Sequence, residues 1–142
     1  MNSNFSFPVL EHPAPNCDNK NALDLAKDWM QLDQHSIVTP LVSERDRNFL
    51  ISSNQVKAIL KISNHKEERG VLDFQTEALL HLQKTTSLNL PRAKKSIDGE
   101  YLVTKSVGGE DCFVRMVTYL EGVPLDDIRA VIIDPKMLHL SM

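Results

Sequence analysis

The stretch Val-Lys-Ala-Ile-Leu-Lys-Ile at residues 56–62 decides the fold. Side chains alternate between the two faces of a strand, so the even-numbered residues, all apolar, share one face. The odd-numbered face carries Lys57, Ile59 and Lys61. Lys61 therefore lies on an otherwise apolar strand. Either its aliphatic stem runs over the sheet to bring the ammonium to water, or the strand holds a cation in a fixed place.

Two further strands are predicted before this one. Residues 37–42 are apolar and β-branched, and Pro40 makes this segment an edge strand or bends it. Residues 48–51, Asn-Phe-Leu-Ile, form the second strand. Ser-Ser-Asn at 52–54 then predicts a tight turn into the third.

The segment after the third strand is predicted to form a helix over residues 70–84. At about 100° per residue, its apolar side chains gather on one broad arc. Gln75 falls in the middle of this arc, whereas Glu77 falls on the opposite side. The predicted members of the arc are Leu72, Phe74, Ala78, Leu79 and Leu82.

The N-terminal part is predicted to begin with an extended lead-in over residues 1–18, which carry three prolines among Asn and Ser. A helix over 21–32 follows, capped by Asn19 or Asn21. Trp29, the single tryptophan, is expected to be a packing anchor within it.

The C-terminal part returns to strands. Asp98-Gly99 predicts a hairpin, and Gly108-Gly109 marks another turn. Residues 112–120 form a long apolar strand that Arg115 and Thr118 interrupt. The pattern predicts an α+β fold, with an antiparallel five-stranded sheet, one main packed helix and a preceding N-terminal helix.

The composition is that of a single globular domain. The 142 residues are 42% hydrophobic and 25% charged, with a formal net charge of −3. This balance argues against a nucleic-acid partner, and no apolar run is long enough to predict a membrane span. The five histidines show no metal spacing. Two distant cysteines, Cys17 and Cys112, are typical of a reduced, cytoplasmic protein.

Several segments resemble a known family. Lys61 on a strand before a helix resembles the protein-kinase-like fold. Residues 42–50, Val-Ser-Glu-Arg-Asp-Arg-Asn-Phe-Leu, resemble the Ser-Glu-Arg-Asp-x-Asn-Phe stretch of the aminoglycoside phosphotransferase family, in its hydroxylysine-kinase-like branch. Residues 60–64, 72–82 and 114–125 are similar to the same branch, in the same order.

This resemblance implies an ATP site. Lys61 would contact the α- and β-phosphates. Ile59 and Val117 would contribute to an apolar adenine slot. The hinge that meets the adenine edge through backbone groups would consist of Thr118, Tyr119 and Leu120.

The resemblance also implies that residues Ser43 to Asn48 arch over the phosphates, with backbone N–H groups and Arg45 or Arg47 as donors. The alternative for the two arginines is a solvated loop. Most kinase-like folds hold the lysine with a helix glutamate. Here the helical wheel favours Gln75 over Glu77 as the partner of Lys61, through a hydrogen bond to a neutral amide.

Phosphoryl transfer also needs a base aspartate and metal-binding groups. In the family these lie in a second lobe, on a His-x-Asp-x4-Asn loop and a later aspartate. Neither His81 nor His139 carries that motif. We therefore expect residues 19–120 to form a kinase-like N-lobe, with residues 121–142 as the hinge and the start of a second lobe. No catalytic residue and no metal ligand is assigned to this chain.

The predicted function is the nucleotide-binding lobe of an ATP-dependent small-molecule kinase, not catalytic alone, with Mg²⁺ held mainly by the second lobe. The acceptor would be a hydroxylated amine or amino acid, with hydroxylysine as the first candidate and aminoglycosides or ethanolamine-like compounds as alternatives. The competing interpretation is a non-catalytic domain that acts by partner binding or self-association.

Overall fold

A computed structural model describes residues 14–43, 45–87 and 90–119. Two helices and six strands lie in these ranges, and no helix among them is long and apolar enough to span a membrane. The helices are α1 (Asn19–Ala26) and α2 (Arg69–Thr85). The strands are β1 (Ile37–Leu41), β2 (Arg47–Ser53), β3 (Val56–Ile62), β4 (Ala93–Lys94), β5 (Val103–Val107) and β6 (Glu110–Thr118).

The strands form one antiparallel sheet in the order β1-β2-β3-β6, with β4 and β5 both paired to β6. The predicted α+β fold is therefore confirmed, with six strands in place of five. Pro40 lies in the edge strand β1, where its missing N–H leaves no gap inside the sheet.

The Asp98-Gly99 prediction was right about the turn and wrong about the hairpin. The Gly99 N–H donates to the Ser96 carbonyl at 2.9 Å, and Gly99 has a φ of 85°. The strands on either side do not pair with each other. Instead, β4 pairs with residues 116–117 of β6 and β5 with residues 110–114. Strand β6 is long enough to offer backbone hydrogen bonds to two strands, whereas β4 is too short to do so. Strands β4 and β5 therefore both pair with the edge of β6 that β3 leaves free.

One face of the sheet carries the main hydrophobic core. The alternation of β3 is confirmed, since Ala58, Leu60 and Ile62 are fully buried here. They pack with Ala22 and Ala26 of α1 and with partners from β2 and β6. Trp29 belongs to the same cluster, which confirms its role as a packing anchor.

Helix α1 differs from its prediction at both ends. Its cap is Asp18, whose side chain accepts from the Asn21 N–H at 2.8 Å, rather than Asn19 or Asn21. It ends at Ala26 instead of residue 32. The N–H groups that follow donate to carbonyl groups three residues earlier, a pattern that tightens the last turn of a helix. The Asp28 carbonyl then accepts from Ile97 at 2.7 Å. This bond ties the chain after the helix to the loop before β5.

The other face of the sheet packs against α2. Ile59 of β3, Val117 of β6 and Leu79 of α2 form a smaller buried cluster. The buried stripe of the helix is narrower than predicted, because Phe74 is 52% exposed and Thr76 is buried in its place. Phe74 is two residues past Leu72, about 200° around the helix, and so points away from the sheet.

Both cysteines are free and buried. Cys17 and Cys112 lie in the main core. Burial raises the pKa of the Cys17 thiol to about 11 and raises the pKa of Cys112 as well. Both groups are therefore neutral thiols at physiological pH.

The turn between β5 and β6 gives a test of how the segment before α1 packs against the sheet. Gly108 and Gly109 both have a positive φ, but only at Gly108 would a Cβ approach the Asn16 carbonyl oxygen, to 2.8 Å. We expect Gly108→Ala to lower the free energy of unfolding by about 2–4 kcal/mol, because it adds a backbone clash to the strain of a left-handed residue. Urea unfolding measures the change.

Gly109→Ala is the matched control, since its Cβ would meet nothing within 4 Å. It should lower the free energy of unfolding by only about 1–2 kcal/mol, the cost of placing a residue with a Cβ in the left-handed conformation. Equal losses from the two variants would show that the segment before α1 does not pack against this turn.

Candidate functional site

A row of polar side chains crosses the α2 face of the sheet. Asn48 of β2 is paired with Lys61 of β3, and Lys61 is paired with Arg115 of β6. All three residues are buried, with exposures of 7–8%. Paired residues on neighbouring strands point to the same face, so the pairing alone places the three side chains next to one another.

Helix α2 covers this row and adds a hydrogen bond to it. The Arg115 Nη2 donates to the Gln75 Oε1 at 2.9 Å. Gln75 thus faces the sheet as the helical wheel predicted, and Glu77 is exposed. The partner that the structure records for Gln75 is Arg115, and a bond from Gln75 to Lys61 stays a prediction.

The row forms the floor of a cavity of about 490 Å³. The walls come from α2 and from the two loops that precede β2 and α2. The lining residues are Ser43, Arg45, Asp46, Asn48, Lys61, Glu67, Val71, Leu72, Gln75 and Arg115.

The cavity is lined by charged side chains of both signs, with the cations in the majority. Arg45, Lys61 and Arg115 are cationic, whereas Asp46 and Glu67 are carboxylates. Burial lowers the pKa of Arg115 to about 10, and Asp46 and Glu67 act in the opposite direction. Arg115 therefore keeps its charge at neutral pH although it is nearly inaccessible to water.

Two buried atoms of the row lack hydrogen-bond partners among the described residues. They are the Asn48 Oδ1 and the Arg115 Nε. A buried polar group without a partner costs about 1–3 kcal/mol. An acceptor and a cationic donor beside the cavity are therefore without a partner among the described residues.

Asn64 fixes the two loops that flank the cavity. Its backbone N–H donates to the Asp46 Oδ1 at 3.0 Å, and its Nδ2 donates to the Arg45 carbonyl at 3.2 Å. Its own Oδ1 accepts from the Lys66 N–H at 3.0 Å. In the loop before β2, the Ser43 hydroxyl donates to the Asp46 carbonyl. This loop contains no glycine, and side-chain hydrogen bonds hold its shape instead.

The structure brings together half of the predicted site residues in this cavity. Ser43, Arg45, Asn48, Lys61 and Gln75 all line it. Arg47 does not, because its Nε donates to the Pro15 carbonyl at 3.0 Å. Arg45 is thus the arginine of this loop that reaches the cavity.

The other predicted residues lie farther along the sheet or outside the described ranges. Ile59 and Val117 are buried together against Leu79, with Tyr119 at the margin of their cluster. The Thr118 N–H donates to the Arg92 carbonyl and the Tyr119 N–H to the Lys57 carbonyl. Their amide donors are thus already engaged within the sheet. Leu120 lies outside the described residues, as does the predicted segment 121–142.

Among the charged cavity residues, Glu67 and Arg115 were not predicted from the sequence, and Asp46 was predicted only as part of the segment 43–48. The one signal for Arg115 was a charge inside an apolar strand, which was noted only as an interruption. Its place beside Lys61 depends on the β3–β6 register, which joins residues 54 positions apart.

Two solved kinase structures share this fold. A microcompartment-associated aminopropanol kinase matches with a TM-score of 0.59 and 14% identity, over 73% of this chain and 32% of that one. An amicoumacin kinase in complex with AMP-PNP, Ca²⁺ and Ami matches with a TM-score of 0.61 and 16% identity, over 78% of this chain and 34% of that one.

At these identities the likeness establishes the fold, and the predicted kinase-like architecture is confirmed. The chain spans about a third of the length of each kinase. No model of a protein family matches the chain, and no curated protein matches it in sequence.

The role of Asn64 yields a stability test. Asn64→Ala should lower the free energy of unfolding by about 2–3 kcal/mol, because it removes the hydrogen bonds of a fully buried side chain, including those to the Arg45 carbonyl and the Lys66 N–H. Lys66→Ala keeps the backbone N–H that Asn64 accepts and changes only an exposed side chain. It should stay within about 0.5 kcal/mol of the parent. If both variants behaved alike in urea unfolding, the two loops would not depend on Asn64.

Proposed function

We propose that the chain is the nucleotide-binding lobe of an ATP-dependent small-molecule kinase. The observation that carries this proposal is the row of buried Asn48, Lys61 and Arg115 beneath α2. A fixed cation on the strand beside a packed helix is the arrangement that kinase-like folds use for the α- and β-phosphates. We assign that role to Lys61.

The loop over residues 43–48 would cover the phosphates. Ser43 and Arg45 line the cavity, and Asn64 holds the loop against the segment before α2. Backbone N–H groups and a guanidinium at this position would offer the donors that an ATP phosphate requires.

The adenine ring would lie toward Ile59 and Val117. These apolar side chains occupy the same face of the sheet as Lys61, two residues away from Lys61 and Arg115 respectively. Since the amides of Thr118 and Tyr119 are engaged, the backbone contacts to adenine would fall to their carbonyls and to Leu120.

The cationic cavity fits a nucleotide, and the amicoumacin kinase neighbour supports this, because it was solved with AMP-PNP and Ca²⁺. Within the described ranges no three His, Cys, Asp or Glu side chains come together. Following the family resemblance, we assign Mg²⁺ and the catalytic base to a second lobe with the His-x-Asp-x4-Asn loop, and we expect no phosphoryl transfer from these residues alone.

The acceptor would be a hydroxyl group on a small amine or amino acid. One neighbour is named for aminopropanol, an amino alcohol, and this chemistry agrees with hydroxylysine as the first candidate. We retain the expectation that the protein is cytoplasmic.

A second candidate function is partner binding or self-association. It is favoured by exposed apolar side chains near the cavity, with Val42 at 88%, Phe74 at 52% and Val71 at 42%. Such residues are typical of a surface that another domain or chain covers. Under this alternative the cavity cations would not affect association.

The replacement Lys61→Ala separates the two functions. It should weaken binding of ATP by roughly 10- to 100-fold, because a charge-assisted hydrogen bond is worth about 1.5–3 kcal/mol. Isothermal titration calorimetry measures the affinity, and sedimentation velocity measures association.

Lys20→Ala is the control, because it removes the same charge from an exposed position on α1. It should leave ATP affinity within twofold of the parent. Unchanged ATP affinity in Lys61→Ala would contradict the nucleotide role.

A further inference from the structure

The function proposed above uses Lys61 as the phosphate-binding cation, yet a second buried cation lies beside it. Arg115 is 7% exposed, as is Lys61, and both line the same cavity. Like charges directly opposite each other on neighbouring strands destabilise a sheet. The fold thus places two cations at directly paired positions of neighbouring strands.

The internal contacts of Arg115 leave much of its binding capacity unused. A guanidinium has five N–H donors. Within the described ranges the structure records one hydrogen bond from this group, to Gln75, and its Nε is without a partner. The carboxylates of Asp46 and Glu67 act on its charge through space, without a recorded ion pair to it.

We propose that Arg115 is a second phosphate-binding residue. It would bind the polyphosphate of the nucleotide from β6, while Lys61 binds it from β3. The inference rests on the proposed function in that both use the same cavity. The planar guanidinium suits phosphate because two of its N–H groups can bond one phosphate group side by side. The Gln75 bond would hold the guanidinium plane in place for this contact.

A purely structural role makes a different prediction, since Arg115 would then serve only to anchor α2 through Gln75. Arg115→Met and Gln75→Leu both break the Gln75–Arg115 hydrogen bond, but only the first removes the cation. Arg69→Met is the control for charge loss, because Arg69 is an exposed arginine at the start of α2 that pairs with Asp73.

The experiment is calorimetric titration of the full chain and these three variants with ATP and, separately, with inorganic tripolyphosphate. We expect Arg115→Met to weaken binding of both probes by roughly tenfold or more, Gln75→Leu by about threefold, and Arg69→Met by less than twofold. Equal losses in Arg115→Met and Gln75→Leu, or a loss below twofold in Arg115→Met, would overturn the inference.

The two probes keep this inference separate from the proposed function. If the parent binds tripolyphosphate as tightly as ATP, the nucleotide assignment fails, while the variants still decide the role of Arg115. If the parent binds neither probe, both proposals fail.

A measurement on the unsubstituted chain covers the case in which Arg115→Met does not fold. The Arg115 Nε–H resonance in a ¹⁵N-correlated NMR spectrum should shift as tripolyphosphate is added. A resonance that stays unchanged at saturation would overturn the inference.

Discussion

The pairing of β3 with β6 is the constraint on which the rest of the molecule depends. It sets Leu60 against Met116 on one face of the sheet and Lys61 against Arg115 on the other. A slip of β6 by one residue would turn Arg115 into the apolar core and Met116 toward α2. The same register that buries the hydrophobic side chains therefore also gathers the charges into one cavity.

The two faces of the sheet differ in the side chains they bury. The α1 face is filled by apolar side chains and by Trp29, which makes it the main hydrophobic core. The α2 face buries a small cluster around Ile59 and leaves the rest of its area to polar groups. Helix α2 thus rests partly on packing and partly on the Gln75–Arg115 hydrogen bond. Burial of these polar groups is unfavourable unless they are hydrogen-bonded, and the proposed phosphate site would supply the missing partners.

Local patterns predicted the local features well. The alternation in β3 gave its two faces, and the helical wheel placed Gln75 inward and Glu77 outward. Phe74 was misplaced because the predicted arc was too broad. The strand count and the position of Arg115 beside Lys61 could not follow from local patterns, because both depend on how distant segments pair along β6.

We propose that the Asn48–Lys61–Arg115 row binds the phosphates of a nucleotide. The most direct measurement is a crystal structure of the chain with a non-hydrolysable ATP analogue. The account predicts phosphate oxygens within hydrogen-bond distance of the Lys61 Nζ and of the Arg115 guanidinium, with the adenine ring toward Ile59 and Val117. An analogue whose phosphates lie away from this row, or crystals that hold no analogue at saturating concentration, would contradict it.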